Sequence, residues 1–124
     1  MGDKLQGFEC IGNICYYTNI PLGMAGVYVF TNEQKIVNGK EQVVYYVGKA
    51  QCLRKRLYQY AEQAYSAAYK KIQQIGDQKN EDPIVWVKYT QDNAVVENEL
   101  IHSIKPEYNI RVNEGMTAKD GVSI

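Results

Sequence analysis

Two stretches rich in β-branched and aromatic residues predict the two strands of a hairpin. They span residues 27–31 and 42–47, and the loop between them contains an Asn-Gly pair at positions 38 and 39, a common turn signal. This loop could add substrate contacts or decorate the surface, and we expect the latter. A third strand is predicted at residues 84–89, directly after Pro83.

The apolar pattern changes to a helical period after Gly48. Apolar residues then recur along one side, at Leu53, Leu57, Tyr60, Ala64 and Ala68. This pattern predicts an amphipathic helix that runs on or restarts through Ile72 and Ile75. We expect it to end near Gly76.

A second helix is predicted between the third strand and Pro106. Thr90 or Asp92 can cap its first turn, and it must end by Ile104, because proline disfavours helical geometry in the residue before it. The predicted order of elements is therefore β-β-α-β-α.

The composition is that of one globular domain. With 124 residues, 45% of them hydrophobic and 23% charged, the chain can bury a core without disulfides or a structural metal. Cys10, Cys15 and Cys52 lack the pattern of a zinc site, and we interpret them as reduced thiols. No apolar stretch approaches the ~20 residues of a membrane span, and no signal segment is visible. We therefore expect no membrane association and a cytoplasmic location.

Tyrosine and basic residues are unevenly used. The chain has 11 tyrosines against two phenylalanines and one tryptophan, which suggests phenols that do more than pack. The net charge is zero, but residues 49–71 carry six basic side chains against Glu62 alone. The six are Lys49, Arg54, Lys55, Arg56, Lys70 and Lys71. Such a segment suits a phosphate backbone, and a solvated helix face is the alternative.

Glu97 lies within the apolar side of the second predicted helix. On a helical wheel it falls between Leu100 and Ile101, with Ala94 on the same side. A lone carboxylate in such a position loses stability unless it is paired, hydrogen-bonded, neutralised or bound to a cation. Glu97 is therefore either one half of a buried ion pair with Arg56, or a metal ligand or catalytic carboxylate.

Several separated motifs occur in a characteristic order along the chain. They are Gly26-Val27-Tyr28, Tyr46-Val47-Gly48-Lys49-Ala50, Arg56, Tyr60, Glu97 and Lys105-Pro106-Glu107-Tyr108-Asn109. Together they resemble the GIY-YIG nuclease domain, in particular the amino-terminal catalytic domain of bacterial excinucleases of the UvrC type, with valine in place of isoleucine in both halves of the name motif. The resemblance spans residues 21–111. It leaves residues 1–20 as a weakly patterned extension and residues 112–124 as a tail.

The resemblance implies an α+β fold with a small three-stranded antiparallel sheet flanked by helices. It also implies a DNA-cleaving site that requires Mg²⁺ or Mn²⁺. Tyr28 would be the general base that activates water, Glu97 the single protein ligand of the metal, and Arg56 the group that holds the scissile phosphate. One carboxylate suffices for Mg²⁺, because this ion keeps several of its waters.

Further roles are implied by the same resemblance. Tyr46 and Tyr60 would position water, phosphate or the base, and Gly48 would allow close backbone approach. Asn109 would support the cleft through hydrogen bonds.

A tyrosine base needs positive charge nearby, because an unperturbed phenol has a pKa near ~10. We expect Lys49 and the metal to supply that charge. Arg54 and Lys55, on the first predicted helix, are expected to contact the DNA.

The expected function is that of a divalent-metal-dependent DNA endonuclease in repair or a related pathway. DNA is the expected partner, together with a protein that supplies DNA binding or targeting. The basic segment alone predicts weak, salt-sensitive binding. Two alternatives remain: a nucleic-acid-binding or adaptor module with little turnover, and a small α/β domain with a buried Arg-Glu pair.

Overall fold

The structure is a computed structural model that describes residues 5–33 and 42–109. Its strands are β1 (Glu9–Gly12), β2 (Gly26–Thr31), β3 (Val44–Ala50) and β4 (Ile84–Tyr89). Its α-helices are α1 (Leu53–Glu62), α2 (Ala67–Lys79) and α3 (Asn93–Ile104), and a 3-10 helix spans Ile14–Asn19. The predicted α+β class is confirmed.

The strands form one antiparallel sheet in the order β1-β4-β2-β3. The prediction of three strands was therefore wrong: the described residues form four. The additional strand, β1, lies in the segment expected to be a weakly patterned extension. It has only four residues and an irregular register between Cys10 and Gly12, so no period-2 pattern marked it in the sequence.

The central strand β2 separates two hydrophobic clusters. All six of its residues are buried, as expected for a strand covered on both faces. Tyr28 and Phe30 belong to the cluster that contains the apolar residues of α1 and α2. Val27 and Val29 belong to the other cluster, against which α3 packs. The phenol of Tyr28 therefore points towards α1 and α2.

The long amphipathic pattern after Gly48 forms two helices. Helix α1 ends at Glu62, and Ala64, which the pattern placed on the buried side, is exposed in the turn that follows. Helix α2 restarts because the hydroxyl of Ser66 accepts a hydrogen bond from the backbone N–H of Tyr69 at 3.0 Å.

The predicted end near Gly76 was wrong, because α2 continues to Lys79 and is capped by Asn80 in the left-handed conformation, with φ of 58°. One glycine inside a helix costs only about 1 kcal/mol, and the last turn is held by the hydroxyl of Tyr108, which donates to Oε1 of Gln78 at 2.6 Å, and by the ion pair of Lys79 with Glu107.

The second predicted helix is confirmed as α3. The hydroxyl of Thr90 accepts a hydrogen bond from the backbone N–H of Asp92 at 3.1 Å, one residue before the helix begins. The helix ends at Ile104, as predicted, and is capped by Lys105, which has a φ of 54° and directly precedes Pro106.

Strand β3 begins later than predicted, at Val44, and continues to Ala50. The base of the hairpin is closed by Asn32, whose backbone N–H donates to the Val43 carbonyl at 3.0 Å and whose side chain accepts from the Val43 N–H at 2.8 Å. The predicted Asn-Gly turn and the tail at 112–124 lie outside the described residues. Within the described ranges, no helix combines the length and apolar composition that crossing a bilayer requires.

Candidate active site

Gly48 and Tyr28 face each other across two neighbouring strands. They are partners in the antiparallel register of β2 and β3, so their side-chain positions lie on the same face of the sheet. A Cβ built on Gly48 would lie 2.5 Å from Cε2 of Tyr28 and closer still to its Cζ and Oη. The glycine is therefore required because the Tyr28 ring occupies the space of a side chain.

The hydroxyl of Tyr28 is the centre of a hydrogen-bonded cluster. It lies 2.8 Å from the hydroxyl of Tyr60, and Nε of Arg56 donates to it at 3.3 Å. The guanidinium of Arg56 also lies 5.4 Å from the centroid of the Tyr60 ring. Helix α1 thus carries both partners of the β2 tyrosine, as its helical spacing of four residues allows.

Gln59 holds Arg56 from the next turn of the same helix. Its Oε1 accepts a hydrogen bond from Nη1 of Arg56 at 2.7 Å. The sequence interpretation missed this residue, although the spacing of three within a helix was a usable signal.

Burial makes the phenols of the cluster weak acids. It raises the pKa of Tyr28, whose side chain is 1% exposed, although the hydrogen bond from Tyr60 and the charge of Arg56 oppose this rise. Burial also raises the pKa of Tyr46 to about 12 and lifts the pKa of Tyr60 still further. The cluster is therefore neutral except for Arg56.

Tyr46 borders the cluster on β3 and is half-buried. Its ring centroid lies 6.3 Å from that of Tyr28, with a tilt of 34°. On its other side, Nζ of Lys71 from α2 lies 4.7 Å from the Tyr46 ring centroid. The sequence placed Lys71 in the basic segment but gave no sign of this contact, which depends on how α2 packs on the sheet.

Asn109 pairs with the backbone of β3 at the outer edge of the sheet. Its Oδ1 accepts a hydrogen bond from the N–H of Val47 at 2.8 Å, and its Nδ2 donates to the carbonyl of Val47 at 2.9 Å. Among the described strands β3 lies at the edge of the sheet, so these backbone groups have no neighbouring strand there to bind. The side chain holds the strand that carries Tyr46 and Gly48, in line with its predicted supporting role.

Glu97 lies on the packed side of α3, between Ile104 and Ile101, and is half-buried as they are. Only Ala94 departs from the predicted stripe, because it is exposed. The buried side is shifted because Asn93 is buried, with its Nδ2 donating to the Ala50 carbonyl at 3.0 Å, and because Val96 packs against the core. Burial still raises the pKa of Glu97, and the charge of Lys49 opposes the rise.

The expected ion pair between Glu97 and Arg56 does not form among the described residues, because Arg56 bonds to Tyr28 and Gln59 instead. Lys49 points to the α3 side of the sheet, as its register opposite Val27 requires. The structure thus places Lys49 beside the Glu97 carboxylate and Arg56 beside the Tyr28 phenol.

Arg54 and Lys55 lie apart from the tyrosine cluster. Arg54 is on the other side of α1 from Arg56, near Tyr17, whose pKa is raised by its hydrogen bond to Glu62 while the charge of Arg54 opposes the rise. Lys55 is exposed. The predicted contact of both residues with DNA stays a prediction.

The donor set is compatible with one hard divalent cation. Across the parts of the chain that the structure describes, no three His, Cys, Asp or Glu side chains converge on a point. Glu97 is a half-buried carboxylate without a hydrogen-bonded partner in those parts, and Mg²⁺ binds well through one carboxylate while keeping its waters. Glu97 therefore fits a magnesium or manganese site and does not fit a zinc cage.

Comparison with known proteins gives consistent matches. The family model of the UvrC-like GIY-YIG domain matches residues 24–110. UvrABC system protein C of Pseudothermotoga lettingae is 33% identical over 91 residues, which are 73% of this chain and 15% of that protein. The protein of the same name from Thermosipho africanus is 33% identical over 90 residues, 73% of this chain and 14% of the relative.

No solved structure matches the chain with comparable significance. The chain spans about one seventh of the length of these two relatives. The family model covers most of the chain and includes every residue of the tyrosine cluster. The chain therefore belongs to the UvrC-like GIY-YIG domain family.

Proposed function

We propose that this protein is a divalent-metal-dependent DNA endonuclease that hydrolyses a phosphodiester bond with a tyrosine-activated water. The observation that carries the proposal is the hydrogen-bonded cluster of Tyr28, Tyr60 and Arg56, with the half-buried carboxylate of Glu97 close enough to influence the pKa of Tyr28. A base, a phosphate-binding cation and a metal-binding carboxylate are the groups that phosphodiester hydrolysis requires.

Tyr28 acts as the base through its hydroxyl oxygen. In the phenolate form this oxygen accepts one hydrogen bond from Nε of Arg56 and one from the hydroxyl of Tyr60, so both neighbours favour its deprotonated state. The phenol first loses its proton to solvent. The phenolate then takes a proton from the attacking water while the water oxygen bonds to phosphorus and the bond to the leaving oxygen breaks, and that oxygen takes up a proton from solvent.

Arg56 binds the phosphate with the donors that no described residue engages. Nε and Nη1 are engaged by Tyr28 and Gln59, and the remaining N–H groups of the planar guanidinium are available to phosphate oxygens. A positive charge fixed in this way stabilises the negative charge that develops on the phosphate in the transition state.

Glu97 would hold Mg²⁺ or Mn²⁺ at the rim of the cluster. When bound, such a cation supplies positive charge to the phosphate oxygens. Lys49 adjoins Glu97 on the same side of the sheet and keeps the carboxylate ionised by favouring its charged form.

We further propose that the protein acts in DNA repair or a related DNA-processing pathway. Two relatives are named as protein C of the UvrABC system, although the chain spans only 15% and 14% of their lengths. A partner that supplies DNA binding or targeting fits a chain whose formal net charge is zero and whose cationic residues are local.

Cleavage of labelled DNA duplexes, nicked, branched and intact, in the presence of Mn²⁺ tests the proposal. We expect Tyr28→Phe and Glu97→Ala to lower the cleavage rate at least about a thousandfold, as loss of a base or of a metal ligand does. Tyr65→Phe and Glu99→Ala are matched controls, because both side chains are exposed, and they should cleave as the wild type does.

Wild-type protein that leaves all these substrates uncut would contradict the proposal. Binding of DNA by that protein without cleavage would favour the nucleic-acid-binding module instead. In that case Glu97→Ala would keep its biological activity, and charge reversal at Arg54 and Lys55 would remove it.

A further inference from the structure

Tyr46 lies near two cations. Nζ of Lys71, from α2, lies 4.7 Å from the centroid of its ring. Arg56, from α1, donates to the hydroxyl of Tyr28, whose ring centroid lies 6.3 Å from that of Tyr46, and its charge opposes the rise in the pKa of Tyr46. Two consecutive helices thus bring positive charge to one phenol of the proposed active site. Like charges that converge in this way repel each other unless an anion lies between or beside them.

Lys71 also lacks an acidic neighbour in the described residues. The side chain is half-buried, and burial lowers the pKa of its ammonium group. The attraction between an ammonium group and the face of an aromatic ring offsets only part of the free energy that the ammonium group loses when it is removed from water. By contrast Lys79, on the same helix, forms an ion pair with Glu107 at 2.8 Å.

Lys71 and its neighbour Lys70 differ in orientation. Lys70 is exposed, whereas Lys71 is half-buried, and the two side chains point about 100° apart around the helix axis. Lys71 lies next to the buried stripe of α2, which contains Ala68, Ile72 and Ile75. The stem of Lys71 is thus held against the protein, and its ammonium group is directed to the side of the sheet where Tyr46 and Tyr28 lie.

We propose that Lys71 contacts a phosphate next to the scissile one, so that α2 as well as α1 binds the DNA backbone. The inference rests on the proposed function for the identity of the substrate. Arg56 then holds the scissile phosphate, and Lys71 holds the neighbouring phosphate, so that the DNA strand is fixed in position over Tyr46. A compact point charge suits this task, because an ammonium group binds a phosphate oxygen from many directions.

The test is the salt dependence of DNA binding, measured by fluorescence anisotropy on a short labelled duplex in Ca²⁺, where cleavage is not required. We expect Lys71→Met to weaken binding about tenfold and to reduce the slope of log affinity against log salt by about one. Lys71→Arg should restore most of the affinity. Lys70→Met removes the same charge from a different side of the helix and should change both quantities less than Lys71→Met does.

Two results would overturn the inference. In the first, Lys71→Met and Lys70→Met weaken binding alike, which would assign Lys71 to a diffuse basic surface. In the second, Lys71→Met lowers the melting temperature and leaves the salt slope intact, which would make Lys71 a brace for Tyr46. Both are independent of cleavage: a wild type that binds but never cuts would contradict the proposed nuclease and still decide the role of Lys71.

Discussion

The two halves of the candidate site differ in how completely the protein builds them. The half formed by Tyr28, Tyr60 and Arg56 is closed: each of the three side chains forms a hydrogen bond with another side chain of the protein. The half formed by Glu97 and Lys71 is open, since neither side chain forms an ion pair with a described residue and Lys49 acts on Glu97 only through its nearby charge. The hydrogen bonds of the first half are formed before the substrate binds. The charged groups of the second half are placed to bind a cation or a phosphate.

This difference assigns separate tasks to the two halves. Fixed dipoles and cations favour a transition state because they need no reorganisation during the reaction. A half-buried charge without an ion-pair partner lowers the stability of the folded protein. Binding of a cation or a phosphate to that charge raises the stability again. Substitutions in the closed half should therefore displace the groups that favour the transition state. Substitutions in the open half should weaken the binding of the cation or of DNA and can stabilise the unbound protein.

Gly48→Ala should disturb the closed half without removing any of its polar groups. The added methyl group would collide with the Tyr28 ring, and displacing a buried ring in a packed core costs about 1–3 kcal/mol. Because the hydroxyl of Tyr28 moves with its ring, we expect the cleavage rate to fall at least about a hundredfold. Thermal unfolding and cleavage kinetics measure the two effects.

Gly76→Ala is the matched control for this change. Gly76 lies inside α2, and an added Cβ would meet only the Glu81 carbonyl, at an ordinary 3.5 Å. Alanine should stabilise the helix by up to about 1 kcal/mol and leave cleavage unchanged. Equal loss of activity in both variants would show that the closed half does not depend on the Tyr28 ring position.

The closed half could largely be predicted from the sequence. Tyr28, Gly48, Arg56 and Tyr60 belong to the motifs of the family resemblance, and the structure brings them together. Gln59 was missed, although helical spacing places it beside Arg56. The periodicity of the sequence and the order of the motifs predict these positions, because the residues lie on a helix and on paired strands, where the spacing decides which face a side chain occupies.

The open half could be predicted only in part. The wheel placed Glu97 on the packed side of α3, but the shift caused by Asn93 appears only when its side chain meets the Ala50 carbonyl. The position of Lys71 over Tyr46 depends on where α2 restarts after Ser66. Strand β1 was missed for a related reason: its partner β4 is far away in sequence, and pairing between distant segments leaves no local signal.

A smaller effect is expected from Gln59→Ala. The substitution leaves the bond between Arg56 and Tyr28 but removes the acceptor for Nη1 of Arg56. We expect the cleavage rate to fall about tenfold, the value of one charge-assisted hydrogen bond. The loss should appear mainly in kcat, because Arg56 can still bind phosphate but is less well oriented.

The control for this prediction is a double-mutant cycle. If Gln59 acts only through Arg56, Gln59→Ala should have little further effect in an Arg56→Ala background. Gln74→Ala, on the exposed side of α2, should leave the cleavage rate unchanged in the wild-type background and in the Arg56→Ala background. Additive losses in the cycle would show that Gln59 contacts the substrate or the fold independently of Arg56.

The smallest effect, and the sharpest test of the open half, is the stability of Glu97→Gln. Because burial raises the pKa of Glu97 in the folded state, the folded protein holds this proton more tightly than the unfolded chain does. The ionised carboxylate therefore lowers stability as the pH rises above about 4.3. At neutral pH the glutamine variant should melt ~1–2 °C higher than the wild type, and the difference should vanish below about pH 4.

Mn²⁺ should reverse that order. The wild type gains stability from a cation that binds only its folded state, and the glutamine variant, which has lost the ligand, gains none. Glu99→Gln removes the same charge from the exposed side of α3 and should keep the wild-type response to Mn²⁺. If the wild type and Glu97→Gln respond alike to both pH and Mn²⁺, Glu97 does not bind a cation. The distinction between a closed and an open half would then be wrong for Glu97.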